Sequence, residues 1–585
     1  MSHSTCSVPV LRRPEAMSQN PTKVFHAARD FLLSHREDYA TAYTGFQWPA
    51  LPQFNWALDH FDVLARDNHG TALWIVDDQG SEVQRSFEQL RVASDRTANF
   101  LRGLGIARGD RLLVMLPNRV ELWELMLAAI KLGAVISPAT TLLSEADLQD
   151  RIERGGMRAV IADEASVPRF AGLAEHCIRI VCGHAEGWRS YADSEQASPV
   201  FAAEGSTGAD DPCVLYFTSG TTAKPKMVLH TQQSYPVGHL STLYWLGLRP
   251  DDVHLNISSP GWAKHAWSCF FAPWTVGATI FIYNQGRFDA GRTLATLVRC
   301  GVTTLCAPPT AWRSLILEDL ARYPVRLREL TSAGEPLNPE VIERVKAAWG
   351  LTIREGFGQT ESTAMLGNPP GQPVRYGSMG RPLPGYRIDL LDLDGKPASE
   401  GEVSVQLQPR PAALMAGYAG DAARTQKALG GSHYGTSDVA SRDADGYFWY
   451  VGRTDDVFKS SDYRISPFEL ESALIEHPAV AEAAVVESPD AKRLCVPKAC
   501  VILKPGVAAD AETARALFSF TRGRLAPYQK IRVIEFCDLP KTVSGKIRRT
   551  ELRSIEAQRR ALGTRGEREF FENDFPELLE SGRPV

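Results

Sequence analysis

Apolar residues along this chain follow two alternating rhythms. Short unbroken runs, such as Val214-Leu215-Tyr216-Phe217 and the Leu112-Leu113-Val114-Met115-Leu116 run between Arg111 and Pro117, have the length of buried strands. Between such runs the spacing becomes helical: from Val120 to Leu132, Trp123, Met126, Leu127 and Ile130 share one face. The same strand-then-helix succession recurs around residues 159–162, 303–305 and 340–349. Repeated in this way, it predicts α/β layering.

The uncharged stretch 266–286 is long enough to raise a membrane span. Pro273 and Gly277 interrupt it, and Ser268, Thr275, Thr279 and Asn284 dilute it. A buried helix, a turn and a strand over 278–282 are expected instead. A hairpin over 441–451, with Asp445-Gly446 at its turn, closes the larger part. Beyond it, a helix from Pro467 to Ile475, strands at 481–486 and 499–503, a helix over 512–525 and a strand over 531–536 predict a small α+β unit. The expected organisation is a flexible segment over 1–20, an N-terminal domain over 21–454, a C-terminal lid over 455–558 and a charged tail over 559–585. Met17 is an alternative start, and Phe570, Phe571 and Phe575 are docking points for the tail.

Composition narrows the function classes. The chain has 585 residues, 44% hydrophobic and 23% charged, with net charge −5. That describes a globular protein of several structural units. With a pI near 6.3 and no basic stripe, nucleic acid is not expected as a partner. The ten cysteines show no paired metal spacing and read as buried free thiols, which suits a reducing cytoplasm. No secretory signal follows Arg12-Arg13.

The densest chemistry lies in Thr218-Ser219-Gly220-Thr221-Thr222-Ala223-Lys224-Pro225-Lys226, directly after an apolar strand. Hydroxyls and exposed N–H groups donate to phosphate oxygens, the glycine admits unusual backbone angles, and the lysines supply charge. The common GxxxxGK[ST] loop is absent, so this is a polyphosphate site of another kind. Four more segments complement it. Ser332-Ala333-Gly334-Glu335-Pro336 offers backbone polar groups on a tight turn, and Glu355-Gly356-Phe357-Gly358-Gln359-Thr360-Glu361 offers an aromatic face, a hydroxyl and a carboxylate. A base needs the first of these groups and a phosphate-bound Mg²⁺ the last. Thr436-Ser437-Asp438 places an acid where vicinal sugar hydroxyls can donate, with Arg453 as second ribose partner. Finally, the glycine-broken loop from Pro540 to Arg549 presents Lys546.

In this order, from about Asn55 to Leu552, the motifs resemble the adenylate-forming (AMP-binding) superfamily. Gly261-Trp262-Ala263-Lys264, Ala307-Pro308-Pro309-Thr310, Gly334 to Glu340 and Ser461 to Glu469 make the chain most similar to medium-chain acyl-CoA synthetases and benzoate-CoA ligases. The resemblance implies an α/β N-terminal domain with a β-barrel-like subdomain and a small mobile α+β lid. It implies AMP-forming activation of a medium-chain or aryl carboxylic acid by ATP and Mg²⁺, then transfer to CoA. Thr218 to Lys226 would hold the β- and γ-phosphates, Thr221 among the catalytic groups. Glu335, Pro336 and the 355–359 segment would frame the adenine, with Phe357 stacking on it. Thr360 would touch the α-phosphate, Glu361 would bind Mg²⁺, and Asp438 and Arg453 would grip the ribose, with Arg464 near it. Asp455 would be the hinge, and Lys546 the catalytic lysine of adenylation. Ser461, Asp462, Tyr463 and Arg493 would meet CoA, and Trp262, Lys264, Met365 and Gly367 would line the acyl pocket. His239 and His265 read as core residues.

The chain departs from this pattern in places. Ala223 and Ser437 stand where relatives carry glycine. Asp462 replaces a glycine beside the pantetheine tunnel, and Arg493-Leu494-Cys495 replaces a more usual Arg-Gly-Glu/Gln. These changes on the thiolation face keep two alternatives open: an adenylating enzyme that loads a carrier-protein thiol or other nucleophile, and an inactive nucleotide-binding relative.

Overall fold

The computed structural model describes residues 20–218, 224–460, 463–490, 493–541 and 547–580. An eight-stranded sheet is parallel from Pro212–Thr218 to Arg189–Ser190 and ends on the antiparallel strands Lys226–Thr231 and Gly417–Tyr418. A thirteen-stranded sheet has a parallel centre made of Thr71–Asp77, Thr279–Asn284, Val253–Asn256, Thr304–Ala307, Glu329–Ala333 and Ile353–Gly358. Strands of both sheets and the helix Val120–Leu132 share one core. The expected strand at 111–115 and helix at 120–132 are present. The uncharged stretch 266–286 is helix, turn and strand, with Gly277 turning at φ 86°. Among the described residues no helix is long and apolar enough to cross a membrane.

One expectation needs correction and another is met. In place of a barrel-like subdomain, Ser378–Pro382, Phe448–Arg453, His433–Arg442, Glu400–Gln406 and Ile388–Leu391 extend the thirteen-stranded sheet in linear order, and no closed barrel forms among the described residues. Ser378–Pro382 pairs with Ala364–Gly367 on one side and with Phe448–Arg453 on the other, which ties these strands to the parallel centre. The expectation met is the docking of the charged tail. Glu569–Phe571 pairs antiparallel with Val533–Phe536 in the small domain's four-stranded sheet, and Phe575 and Leu578 enter its core. Buried Lys498 explains the capture: its ammonium sits among Glu535, Glu556 and Glu569, so the tail supplies one of three carboxylates a buried cation needs.

Candidate active site

Ligand sites in α/β sheets lie beyond the carboxyl ends of parallel strands. Thr218, Ala333 and Gly358 end three such strands here. Thr218 pairs with Lys226, so the phosphate motif is the connection between two antiparallel strands. Its central residues, Ser219, Gly220, Thr221, Thr222 and Ala223, lie outside the described residues. The root of the loop is braced from below. Arg154, on the helix Glu145–Gly155, donates Nη2 to the Pro225 carbonyl at 2.9 Å while Asp150 holds the same guanidinium through two 2.7 Å bonds. Lys226 Nζ lies 5.5 Å from the centre of the Tyr418 ring. Arg154, Lys224, Lys226 and Arg424 line a cavity of about 450 Å³, a cationic hollow beside the phosphate loop. Arg154 and Arg424 escape sequence reading because nothing local marks either as facing this loop.

The second motif lies on the strand Ile353–Gly358 and the residues that follow it. Gly356 and Gly358 face the core, where an added Cβ would come within 2.3 Å of the Trp245 ring and of the Thr363 carbonyl respectively. Phe357, between them, is half-buried and packs against the same core cluster. Gln359 links this strand to Asp438: Nε2 donates to Asp438 Oδ2 at 2.5 Å and to the Thr436 carbonyl at 2.8 Å, and Tyr434 Oη donates to Gln359 Oε1 at 2.9 Å. Asp438 pairs in register with Arg453, and their charges lie 3.6 Å apart. Ser437 adopts φ 61°, the left-handed region, so the glycine that relatives carry here has a backbone reason.

Glu335, exposed, lies 3.9 Å from Arg313, and Pro336 is half-buried beside it. Glu355 is different: its side chain lies behind the adenine turn. It is buried, accepts from the Leu337 N–H at 2.7 Å, and has a second oxygen without a partner among the described residues. Burial pushes its carboxyl up to about 8. Through Leu337, Glu355 braces the Gly334–Pro336 turn.

Thr360 and Glu361 are fixed through their surroundings. His230 Nε2 donates to the Thr360 carbonyl at 2.7 Å and burial lowers this imidazole to about 4, which keeps it neutral. Tyr418 Oη donates to Glu361 Oε1 at 3.1 Å, and the other carboxylate oxygen takes no hydrogen bond among the described residues. A buried carboxylate with one oxygen uncommitted fits a hard cation such as Mg²⁺. Lys264 Nζ donates to the Ala333 carbonyl at 3.2 Å, joining the Trp262 segment to the adenine turn, and burial lowers its ammonium. Met365 and Gly367 lie buried in one strand, Gly367 against Trp245. His265 bonds Asn118 and His239 stacks on Phe271, both inside the core.

From the small domain, Asp455 is exposed and receives a 3.3 Å contact from Arg453. Tyr463 and Arg464 stand on a short strand paired with Phe458–Ser460. Arg493 is exposed at the end of the Val480–Asp490 and Leu494–Leu503 hairpin. Ser461, Asp462 and Lys546 lie outside the described residues, Lys546 between the bridged residues Lys541 and Ile547.

Residues 63–419 match the AMP-binding enzyme family and residues 469–546 its C-terminal domain. The chain belongs to this family. It is 44% identical over 534 residues to 4-hydroxybutyrate–CoA ligase 1 of Metallosphaera sedula, covering 89% of this chain and 94% of that one. It is 41% identical over 529 residues to the mitochondrial acyl-coenzyme A synthetase ACSM3 of Rattus norvegicus, covering 86% and 90%. Among solved structures, a benzoate CoA ligase from Burkholderia xenovorans LB400 aligns at TM-score 0.73 and 31% identity, over 86% of this chain and 100% of that one. The anthranilate CoA ligase AuaEII with anthranoyl-AMP aligns at 0.78 and 29%, over 88% and 99%. The adenylate-forming ligase family and the α/β fold expected from the motifs are thereby established.

Proposed function

We propose that this AMP-binding enzyme converts a medium-chain or aryl carboxylic acid to its acyl-adenylate with ATP, and then to the CoA thioester with release of AMP. The supporting observation is the bond from Gln359 to Asp438, which joins the aromatic, α-phosphate and carboxylate positions at 357–361 to the ribose acid at one strand edge. Relatives named as acyl-CoA synthetases and CoA ligases support the same reading.

The attacking carboxylate is already anionic, so adenylation needs no general base. Catalysis reduces to alignment and to cancelling charge on the α-phosphorus and the departing pyrophosphate. Asp438, Gln359 and Phe357 fix the nucleoside, Thr360 sits at the α-phosphate position, and the lysines and Arg154-braced loop meet the β- and γ-phosphates. Glu361 would hold Mg²⁺, which when bound supplies counter-charge to the phosphates. Lys546 would be the catalytic cation of this step; in the second, the 461–463 segment would replace it as the CoA thiol attacks the acyl carbon and AMP leaves.

The resemblance implies that Asp462 replaces a glycine beside the path of an anionic cofactor, and on this account it slows thiolation relative to adenylation. Incubation with ATP and a panel of straight-chain and aryl acids, with and without CoA, tests both points by mass spectrometry. Acyl-CoA and AMP are expected, with faster thiolation in Asp462→Gly. Acyl transfer only to a carrier-protein thiol would replace CoA as acceptor, and absence of any nucleotide turnover would remove the activity.

A further inference from the structure

The parallel pairing of Leu494–Leu503 with Val533–Phe536 sets Cys500 opposite Glu535, and Cys537 follows one residue beyond the second strand. The two sulfurs and a Glu535 carboxylate oxygen all lie within 4.8 Å of one another. Glu535 is already engaged, by Lys498 at 2.7 Å and Arg559 at 2.7 Å. The two thiols are left facing each other, Cys500 buried and Cys537 partly exposed. Their hydrogen bond holds Cys537 below the usual thiol range and, together with burial, pushes Cys500 above it. An accessible, more acidic thiol beside a buried partner is the arrangement of an oxidisable pair.

The place of this pair matters. Cys500 packs with Leu539 and Leu552, with Ile547 and Cys537 against the same cluster. Arg548 N–H donates to the Pro540 carbonyl at 2.8 Å, and Lys541 bridges Ile547. The segment bearing Lys546 therefore leaves and re-enters the fold a few residues from Cys537.

We propose that Cys500 and Cys537 are a modification site, oxidised by a hydroperoxide to a reversible disulfide that restrains the root of the Lys546 segment. The Cys537 thiolate attacks the outer oxygen of ROOH; the O–O bond breaks, ROH leaves, and Cys537 becomes a sulfenic acid. The Cys500 sulfur attacks that sulfur, the S–O bond breaks, and hydroxide departs as water with the Cys500 proton. Two thiols and ROOH thus give one disulfide, ROH and water. Closing the sulfurs to about 2.05 Å draws Cys537 inward and shifts the residues leading to Lys541. The consequence for catalysis rests on the adenylation role given to Lys546.

The test uses the full chain, reduced and then treated with tert-butyl hydroperoxide. Non-reducing peptide mapping should find the 500–537 cross-link, two hydrogens lighter than the thiols. Acid-dependent ATP–pyrophosphate exchange should fall at least fivefold and return with dithiothreitol. Cys537→Ser should keep its exchange through the same treatment, and Cys300→Ser, in the other domain, should respond like the wild type. Absence of that cross-link, a cross-linked enzyme with unchanged exchange, or zinc retained on the two thiols would overturn the proposal. The peptide map does not depend on catalysis, so a reduced chain without exchange would count against the proposed function alone.

Discussion

Asp438 and Arg493 both stand on antiparallel hairpins, but the two hairpins are backed differently. The strand bearing Asp438 is paired on both sides, and the acid itself is buried, with Gln359 and Arg453 placed against it. Arg493 is exposed at the end of a hairpin whose first strand is the edge of its sheet. The same contrast separates Thr360, held by buried His230, from the segment carrying Lys546, held at Lys541 and Ile547. On the proposed function, the groups that would grip the nucleotide through both half-reactions are the ones braced by a second layer. Arg493 stands at a hairpin end, where on the same reading a shift of the small domain would present or withdraw it.

The sharpest way to break this division is Lys546→Ala. Loss of one charge contact to the transition state costs about 3–4 kcal/mol, so exchange should fall by two to three decades. AMP binding, measured by calorimetry, should stay within twofold, because the braced side is untouched. Loss of binding as well would erase the distinction. Arg154→Ala tests the brace itself. A charge-assisted hydrogen bond is worth about 1.5–3 kcal/mol, so kcat/KM for ATP should drop roughly tenfold or more, mainly through KM.

Glu355→Gln has a smaller effect with a sign in pH. The folded carboxyl titrates near 8 against an ordinary 4.5, so the folded chain keeps a proton that the unfolded chain has released. Wild-type stability from this group is full below about 4.5 and is lost as pH rises to 8. The neutral variant does not share that loss. Its Tm relative to wild type should therefore rise between pH 5 and pH 8; a constant difference would contradict the buried, proton-holding carboxyl. Smallest is Ser437→Gly, which relieves a left-handed residue and should stabilise by about 1 kcal/mol in denaturant unfolding, with ATP kinetics unchanged.

Periodicity made the 111–115 strand, the 120–132 helix and the 266–286 stretch legible, because their burial is one-dimensional information. The motifs at 218–226, 355–361 and 436–438 stood out in the sequence by their residue types and order, and with them the family. What was hidden depends on register between distant strands or on one helix facing a remote loop. Arg154 reaching Pro225, Glu355 accepting from the Leu337 N–H, and Glu569–Phe571 completing the small sheet around Lys498 are all of this kind. The barrel-like reading failed for a similar reason: a run of antiparallel strands is silent about which existing sheet it will extend.

The central chemistry, capture of an organic acid as its mixed anhydride with AMP, is tested most directly by a single turnover without CoA. Purified enzyme, Mg²⁺, ATP and the best acid from the panel should yield acyl-adenylate on the protein together with pyrophosphate, near one equivalent per chain. Release of ADP and inorganic phosphate in place of pyrophosphate would contradict the account.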